Sequence, residues 1–95
     1  MHILLERTGG FAGRTVKKEF DTGSMSARQT SDLDKLVRKS RFFDLPLKLE
    51  SSTRGADICN YRLTIESEGR AHTVEASDTA VPPDMRTLLD WLMRL

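Results

Sequence analysis

Residues 57–77 read DICNYRLTIESEGRAHTVEAS, and this stretch decides the fold. Its first half alternates apolar and polar residues with a period of two, as a strand with one buried and one solvated face does. The apolar set there is Cys59, Tyr61, Leu63 and Ile65, and the second half carries His72, Val74 and Ala76 on one face. Between the halves, Glu68-Gly69 suits a tight turn, because glycine reaches positive φ at little cost. The stretch predicts two antiparallel strands, 57–67 and 70–77.

A second pair of strands is predicted near the N-terminus, at 3–7 and 14–21. In the latter strand Val16 and Phe20 mark one face, which Lys18 interrupts. The segment between the two strands reads GGFAG (residues 9–13) and is longer than a two-residue turn. We therefore expect a wider hairpin loop or a bulge there.

An amphipathic helix is predicted after this first pair, with either Ser26 or Ser31 as its N-cap. Its apolar stripe follows the i, i+3, i+4, i+7 spacing and consists of Leu33, Leu36, Val37 and Ser40. Acidic residues expected in the first turn and basic residues in the last suit the helix dipole: Asp32, Asp34, Arg38, Lys39 and Arg41. The helix should end within FFDLP, residues 42–46, since a residue before proline avoids the α region.

A second helix is predicted to begin at Pro83, because proline is favoured in the first helical turn. Its apolar stripe is Met85, Leu88, Leu89 and Leu92. The resulting order, ββαββα, predicts an α+β fold with a four-stranded, mainly antiparallel sheet and both helices packed on one face. Ninety-five residues fit a single domain spanning residues 1–95.

Composition excludes several classes of protein. Fifteen basic against fourteen acidic residues give a net charge of +1, which offers no excess of cations for nucleic-acid binding. The single cysteine, Cys59, excludes an internal disulfide framework and suits a reducing compartment. The N-terminus lacks the basic region and apolar run of a signal peptide, and no segment is long enough to span a membrane. We expect a cytoplasmic protein.

An enzymatic reading would rest on Cys59 and His72, which fall on adjacent predicted strands in the same apolar phase. Cysteine in such a position usually packs as a small hydrophobe, and no glycine-rich elbow or oxyanion-hole motif accompanies it. Metal-ligand spacings such as CxxC or HExxH are absent from the sequence, and the GGFAG segment lacks the ending of a phosphate loop. We expect no catalytic residues, no metal site, no cofactor and no small-molecule substrate.

The remaining class is a protein-binding module, and the segment around Phe11 is its best candidate. An aromatic residue in a glycine-hinged loop, flanked by Arg7 and Arg14, has the composition of an interface hot spot. The residues leave two placements for Phe11. It is held outward for a partner, or it folds back over the hairpin as a lid on the core.

Five stretches together resemble the emfourin family of protealysin inhibitors and their small bacterial relatives. They are ERTGGFAGR (6–14), FFDLP (42–46), ADICNYRLTIE (56–66), RAHTVEASD (70–78) and PDMRTLLDWL (83–92), which follow in order over nearly the whole chain. The resemblance implies a non-catalytic, cofactor-free inhibitor of thermolysin-like zinc metallopeptidases. The metal would then belong to the target.

Under that resemblance, the 9–13 segment would enter the active-site cleft and offer Phe11 to a pocket that favours bulky hydrophobic side chains. Arg7 and Arg14 would grip the acidic rim, and the connection before the last helix would supply further contacts. The candidate partner-binding residues are Arg7, Gly9, Gly10, Phe11, Ala12, Gly13, Arg14, Thr79, Ala80, Val81 and Pro82. The alternative function is a non-inhibitory adaptor or regulatory subunit that binds a partner through the same loop or a sheet edge.

Overall fold

A computed structural model describes residues 1–9, 15–50 and 59–95 of the chain. Its strands are β1 (His2–Gly9), β2 (Val16–Asp21), β3 (Lys48–Leu49), β4 (Cys59–Ser67) and β5 (Arg70–Ser77). Its α-helices are α1 (Ala27–Ser40) and α2 (Pro83–Met93). The strands form one sheet in the order β2-β1-β4-β5-β3.

The sequence-predicted pair of strands at 57–77 forms the middle of this sheet. β4 pairs antiparallel with β1 on one side and with β5 on the other, so that Leu63 lies opposite both Leu5 and Val74. Glu68 and Gly69 join β4 to β5 with φ values of 52° and 77°. Positive φ at both central residues is the geometry of a type I′ turn, whose twist matches that of the strands. The predicted tight turn is confirmed.

The prediction of four strands is wrong, because the described residues form five. The additional strand, β3, has two residues and runs parallel to β5, with Lys48 opposite Glu75 and Leu49 opposite Ala76. The Glu75 amide also donates a hydrogen bond to the Leu47 carbonyl, at 2.8 Å. Two residues are too few to display a period-two pattern, so no periodicity in the sequence predicts this strand. The element order therefore becomes ββαβββα.

Helix α1 begins with a capping box. The Ser26 hydroxyl accepts a hydrogen bond from the Gln29 amide, and the Gln29 side chain accepts one from the Ser26 amide, which identifies Ser26 rather than Ser31 as the N-cap. The placement of Asp32 and Asp34 in the first turn is wrong, since α1 starts at Ala27 and its first turn holds no acidic residue.

Helix α1 ends at Ser40, before the 42–46 segment that was predicted to stop it. Arg41 takes a left-handed conformation, with φ 52° and ψ 44°, and its amide bonds back to the Arg38 and Val37 carbonyls. A single 3₁₀ turn, Phe42–Asp44, follows and places the Phe42 ring in the core with 0% exposure. Proline at 46 therefore acts after the helix has already ended.

The core lies between the two helices and one face of the sheet. The predicted α2 stripe is buried throughout, at 0–1% exposure for Met85, Leu88, Leu89 and Leu92. These side chains share a cluster with Leu33 of α1 and with alternate residues of the central strands, such as Ile3 and Leu63. Full burial of each such side chain contributes about 1.5–3 kcal/mol. The predicted packing of both helices on one face is confirmed.

The opposite face of the sheet carries charged residues in register. One row across the strands alternates in sign, because Glu6 lies opposite both Lys17 and Arg62, and Glu75 lies opposite both Arg62 and Lys48. Arg62 and Glu75 form an ion pair with 3.7 Å between Nε and Oε1. Opposite charges on neighbouring strands stabilise a solvated sheet face.

Lys18 explains the interruption seen in the apolar face of β2. Its ammonium group donates hydrogen bonds to the carbonyl oxygen of Met93, the last residue of α2, at 2.7 Å, and to that of Leu95, at 3.2 Å. β2 is an edge strand, and an inward-pointing charge on such a strand hinders pairing with another chain. The lysine thus joins the sheet edge to the second helix.

Candidate functional site

Three connections meet at one end of the sheet, which we call the loop end. Gly9 of β1 lies opposite Cys59 of β4, and Asn60 lies opposite Ser77 of β5. Because β3 runs parallel to β5, Glu50 also leaves the sheet in this direction. The connections 10–15, 50–58 and 78–82 therefore start or finish there.

The two groups of predicted contact residues share the loop end. Arg7 and Gly9 finish β1, while Thr79, Ala80 and Val81 follow β5 in the connection to α2, and Pro82 is the N-cap of α2. The other predicted contact residues lie outside the described part of the chain: Gly10, Phe11, Ala12, Gly13 and Arg14. The described residues thus place the start of the 9–13 segment and the connection before α2 at the same end of the sheet, although they are about seventy positions apart in sequence.

Gly9 has a φ of 85°, in the left-handed region that side chains with a Cβ rarely adopt. It is the last residue of β1 and still pairs with Cys59. The last described residue of β1 therefore has a backbone conformation that favours glycine.

Arg7 lies beside Cys59 at this end. Its Nη2 donates a hydrogen bond to the Cys59 Sγ over 3.5 Å, and that bond is the main reason why the pKa of Arg7 is raised above its ordinary value. Within the described part of the chain, no carboxylate forms an ion pair with Arg7. The hydrogen bond that Arg7 makes in the described part of the chain goes to a thiol, which is a weak acceptor. The guanidinium therefore keeps donors for other groups.

The connection 78–82 is held by Arg86 of α2. Its Nη2 donates to the Asp78 carbonyl at 2.7 Å and to the Asp78 Oδ1 at 2.8 Å. Its guanidinium lies 5.5 Å from the centre of the Tyr61 ring, and Nη1 reaches the Tyr61 hydroxyl at 3.4 Å. Burial alone would lower the pKa of Arg86, but the hydrogen bonds to Asp78 and Tyr61 outweigh it and raise the pKa. We call these three side chains the Arg86 clamp.

Sequence reasoning missed the Arg86 clamp. A signal was present, since Arg86 is the fourth residue of a helix that starts at Pro83. A cation near a helix N-terminus faces the positive end of the dipole and is unfavourable there without an anionic partner. The eight-residue separation between Arg86 and Asp78 concealed that partner.

The residues after β5 differ in exposure. Asp78–Ala80 forms a 3₁₀ turn in which Thr79 is exposed, while Ala80 is half-buried. Val81 packs against the hydrophobic core. Of the four predicted contacts in this connection, Thr79 is the most accessible to a partner, since Pro82 is half-buried as well.

The suggested contact between Cys59 and His72 is wrong. His72 lies opposite Ile65, six residues along β4 from Cys59, and at about 3.3 Å per residue the two are roughly 20 Å apart. The His72 Nε2 instead donates to the Leu45 carbonyl at 2.7 Å, and its ring packs edge-on to Phe42 at 5.5 Å. The pair therefore lacks the hydrogen-bond contact that nucleophilic catalysis requires.

Metal sites and membrane-spanning helices are not found in residues 1–9, 15–50 and 59–95. No group of three or more His, Cys, Asp or Glu residues in these ranges could hold a metal ion. Neither α1 nor α2 has the length and apolar character needed to cross a bilayer. A groove of about 350 Å³ on the open sheet face adjoins the loop end, and its charged lining residues are Glu6, Lys48, Glu50, Arg62 and Glu75. Small-molecule sites are mostly apolar, so this lining is atypical of them.

Comparison with known proteins places the chain in a family. The model of the Emfourin family matches residues 5–93, nearly the whole chain. No curated protein and no solved structure matches the chain. The resemblance seen in the sequence is confirmed, and the chain belongs to the Emfourin family.

Proposed function

We propose that this member of the Emfourin family inhibits thermolysin-like zinc metallopeptidases by inserting its loop end into the active-site cleft. Family membership implies an inhibitor of metallopeptidases in general, and it agrees with a protein that is not itself an enzyme. The class of peptidase and the mode of blockade are the parts that we add.

The observation that carries the proposal is the convergence of the predicted contact segments at one end of the sheet. Gly9 and the 78–82 connection both follow strands of the same antiparallel core, β1 and β5, which flank β4. Loops mounted on a packed sheet lose little conformational freedom when they bind. A sheet end at which neighbouring connections start or finish suits contact with a concave cleft.

In this account each part of the loop end has its own role. Phe11 fills the pocket that accepts a bulky hydrophobic side chain next to the scissile bond. The glycines at 9, 10 and 13 let the backbone approach the cleft closely. Arg7, whose described partner is only the Cys59 thiol, pairs with an acidic group at the rim, together with Arg14.

The blockade needs no chemistry from the inhibitor. It requires only that the loop end compete with substrate for the cleft, so the inhibition should be competitive and the inhibitor should dissociate intact. Both Arg7 and Arg86 have raised pKa values, so they remain charged at any pH at which a neutral peptidase is assayed. Inhibition should therefore not depend on their titration.

The first prediction concerns Phe11. The purified chain is assayed against a thermolysin-like peptidase with a fluorogenic peptide, and a trypsin-like enzyme serves as the control for specificity. We expect inhibition of the metallopeptidase alone, and a rise of about 30-fold or more in the inhibition constant for Phe11→Ala, as for a hot-spot aromatic worth 2 kcal/mol or more.

Circular dichroism of Phe11→Ala establishes that the variant is folded. An unchanged inhibition constant in a folded variant would remove Phe11 from the contact surface. A wild-type chain that leaves the metallopeptidase fully active would instead favour the adaptor function, in which a partner is bound without loss of its activity.

A further inference from the structure

We propose that Arg86 is a positioning residue of the inhibitory surface, which fixes the 78–82 connection in the conformation that meets the peptidase. The proposal rests on the function proposed above and adds a residue outside the contact segments. Arg86 belongs to α2 and donates two hydrogen bonds to Asp78, so the role that we assign to it is to hold Asp78 rather than to contact the target.

The 78–82 connection needs such a restraint because its own structure supplies few. Its 3₁₀ turn, Asp78–Ala80, buries none of its three residues. The hydrogen-bond geometry of a 3₁₀ turn is also poorer than that of an α-helix. At its far side, Pro82 caps α2 without a side-chain hydrogen bond. Apolar packing therefore begins only at Val81, and Thr79 lies on an exposed turn.

The Arg86 clamp supplies the restraint at the start of the turn. A single guanidinium nitrogen reaches both the backbone carbonyl and the carboxylate of Asp78, at 2.7 and 2.8 Å. This fixes the main chain and the side chain of one residue together. Hydrogen bonds in which the donor or the acceptor is ionised are shorter and stronger than neutral ones, and both of these distances fall in that class.

Tyr61 supports the clamp, because the Arg86 guanidinium lies over its ring. The Tyr61 side chain is 8% exposed and lies on β4, the central strand, with the guanidinium 5.5 Å from the centre of its ring. Arg7 lies opposite Tyr61 in the β1–β4 register. The clamp therefore anchors the 78–82 connection to β4, the strand that also pairs with the end of β1. Both contact segments are thus positioned by the same strand.

A restrained connection binds more tightly because the competent conformation is already populated. The apparent dissociation constant equals the intrinsic constant divided by the competent fraction. If loss of the clamp leaves the connection competent for about one-tenth of the time, inhibition weakens about tenfold. The loss should appear in the association rate, since the bound complex can restore the same contacts.

The test compares Arg86→Ala and Arg86→Lys with matched changes at Arg38. Arg38 forms an exposed ion pair with Asp34 on α1, at 3.0 Å, so Arg38→Ala and Arg38→Lys remove an arginine pair elsewhere. Val37→Ala, at a site 5% exposed in α1, serves as the control for general loss of stability. Association and dissociation rates with a thermolysin-like peptidase are measured for every variant.

We expect both Arg86 variants to associate about tenfold more slowly, with little change in the dissociation rate. Lysine keeps the charge but lacks the planar fork that engages two acceptors, so it should not restore the rate. Amide hydrogen exchange at residues 78–81 of the free protein should accelerate in the Arg86 variants alone. The Arg38 and Val37 variants should associate as the wild type does.

Several results would overturn the proposal. One is that the wild type inhibits while both Arg86 variants associate at the wild-type rate. Another is that Arg86→Lys restores the full association rate, because Arg86 would then act only as a charge that steers association. Slower association in Val37→Ala would attribute the effect to stability in general. A wild-type chain that does not inhibit would overturn the proposed function and this role together, whereas the other results leave the proposed function standing.

Discussion

At one end of the sheet β4 and β5 are joined by only two residues, Glu68 and Gly69, while at the loop end three longer connections start or finish. We call the former the turn end. It is closed by aromatic packing, in which Phe42 meets Phe43 at 5.6 Å and His72 at 5.5 Å between ring centres. The loop end is held instead by polar contacts, Arg7 with Cys59 and Arg86 with Asp78.

Under the proposed function, stability and binding depend on opposite ends of one small sheet. At the turn end the buried Phe42 side chain contributes apolar area, and its ring packs against His72 of β5. Polar contacts contribute less to stability, but they define orientation and leave donors such as those of Arg7 directed toward the surface. On this account, changes at the turn end should affect folding, and changes at the loop end should affect inhibition.

The largest expected effect is that of Phe42→Ala at the turn end. The side chain is 0% exposed, and truncation of a buried phenylalanine costs about 3–5 kcal/mol of the free energy of unfolding. Urea denaturation measures that loss. Inhibition assayed at a temperature where the variant stays folded should match the wild type, because Phe42 is remote from the loop end. A folded Phe42→Ala that fails to inhibit would break the separation between the two ends.

The next effect compares one glycine at each end. Gly9 and Gly69 have φ values of 85° and 77°, so alanine at either position is strained by about 1–2 kcal/mol. A Cβ at Gly69 would meet no atom within 4 Å, so strain is its whole cost. Both variants should lose similar unfolding free energy, while Gly9→Ala alone should raise the inhibition constant. Equal inhibition by the two variants would show that the start of the 10–15 connection does not matter for binding.

The smallest effect concerns the open sheet face next to the loop end. Arg62→Gln removes the ion pair with Glu75, in which both side chains are about half exposed. Such pairs contribute less than about 1 kcal/mol, so stability and inhibition should hardly change. A clear loss of inhibition would instead extend the contact surface from the loop end into the charged groove.

Much of the fold follows from local patterns in the sequence. Alternation in 57–77 predicted the central hairpin, and the spacing of Met85, Leu88, Leu89 and Leu92 predicted the buried face of α2. The short strand β3 was not predicted, because its position depends on pairing with β5, a contact between distant parts of the chain. Of the two predicted N-caps of α1, Ser26 is confirmed by its capping box, whereas Asp32 and Asp34 lie beyond the first turn in which they were expected.

The candidate site was less predictable than the fold. Composition singled out the 9–13 segment, and family resemblance singled out its use, but neither indicated that Arg86 and Asp78 meet. That contact depends on how α2 returns over β4, which is a tertiary property. Likewise, Cys59 and His72 share an apolar phase on adjacent strands, yet the register puts them at opposite ends. Phase predicts the face of a sheet, whereas register decides which residues touch.

The central claim is that the loop end, rather than the turn end, meets the peptidase. Amide hydrogen exchange of the chain, free and in complex with a thermolysin-like peptidase, measures this directly. The account predicts new protection at residues 8–14 and 78–81, with exchange at 42–45 and 68–72 unchanged. Protection confined to 42–45 and 68–72 would contradict it and move the binding surface to the turn end.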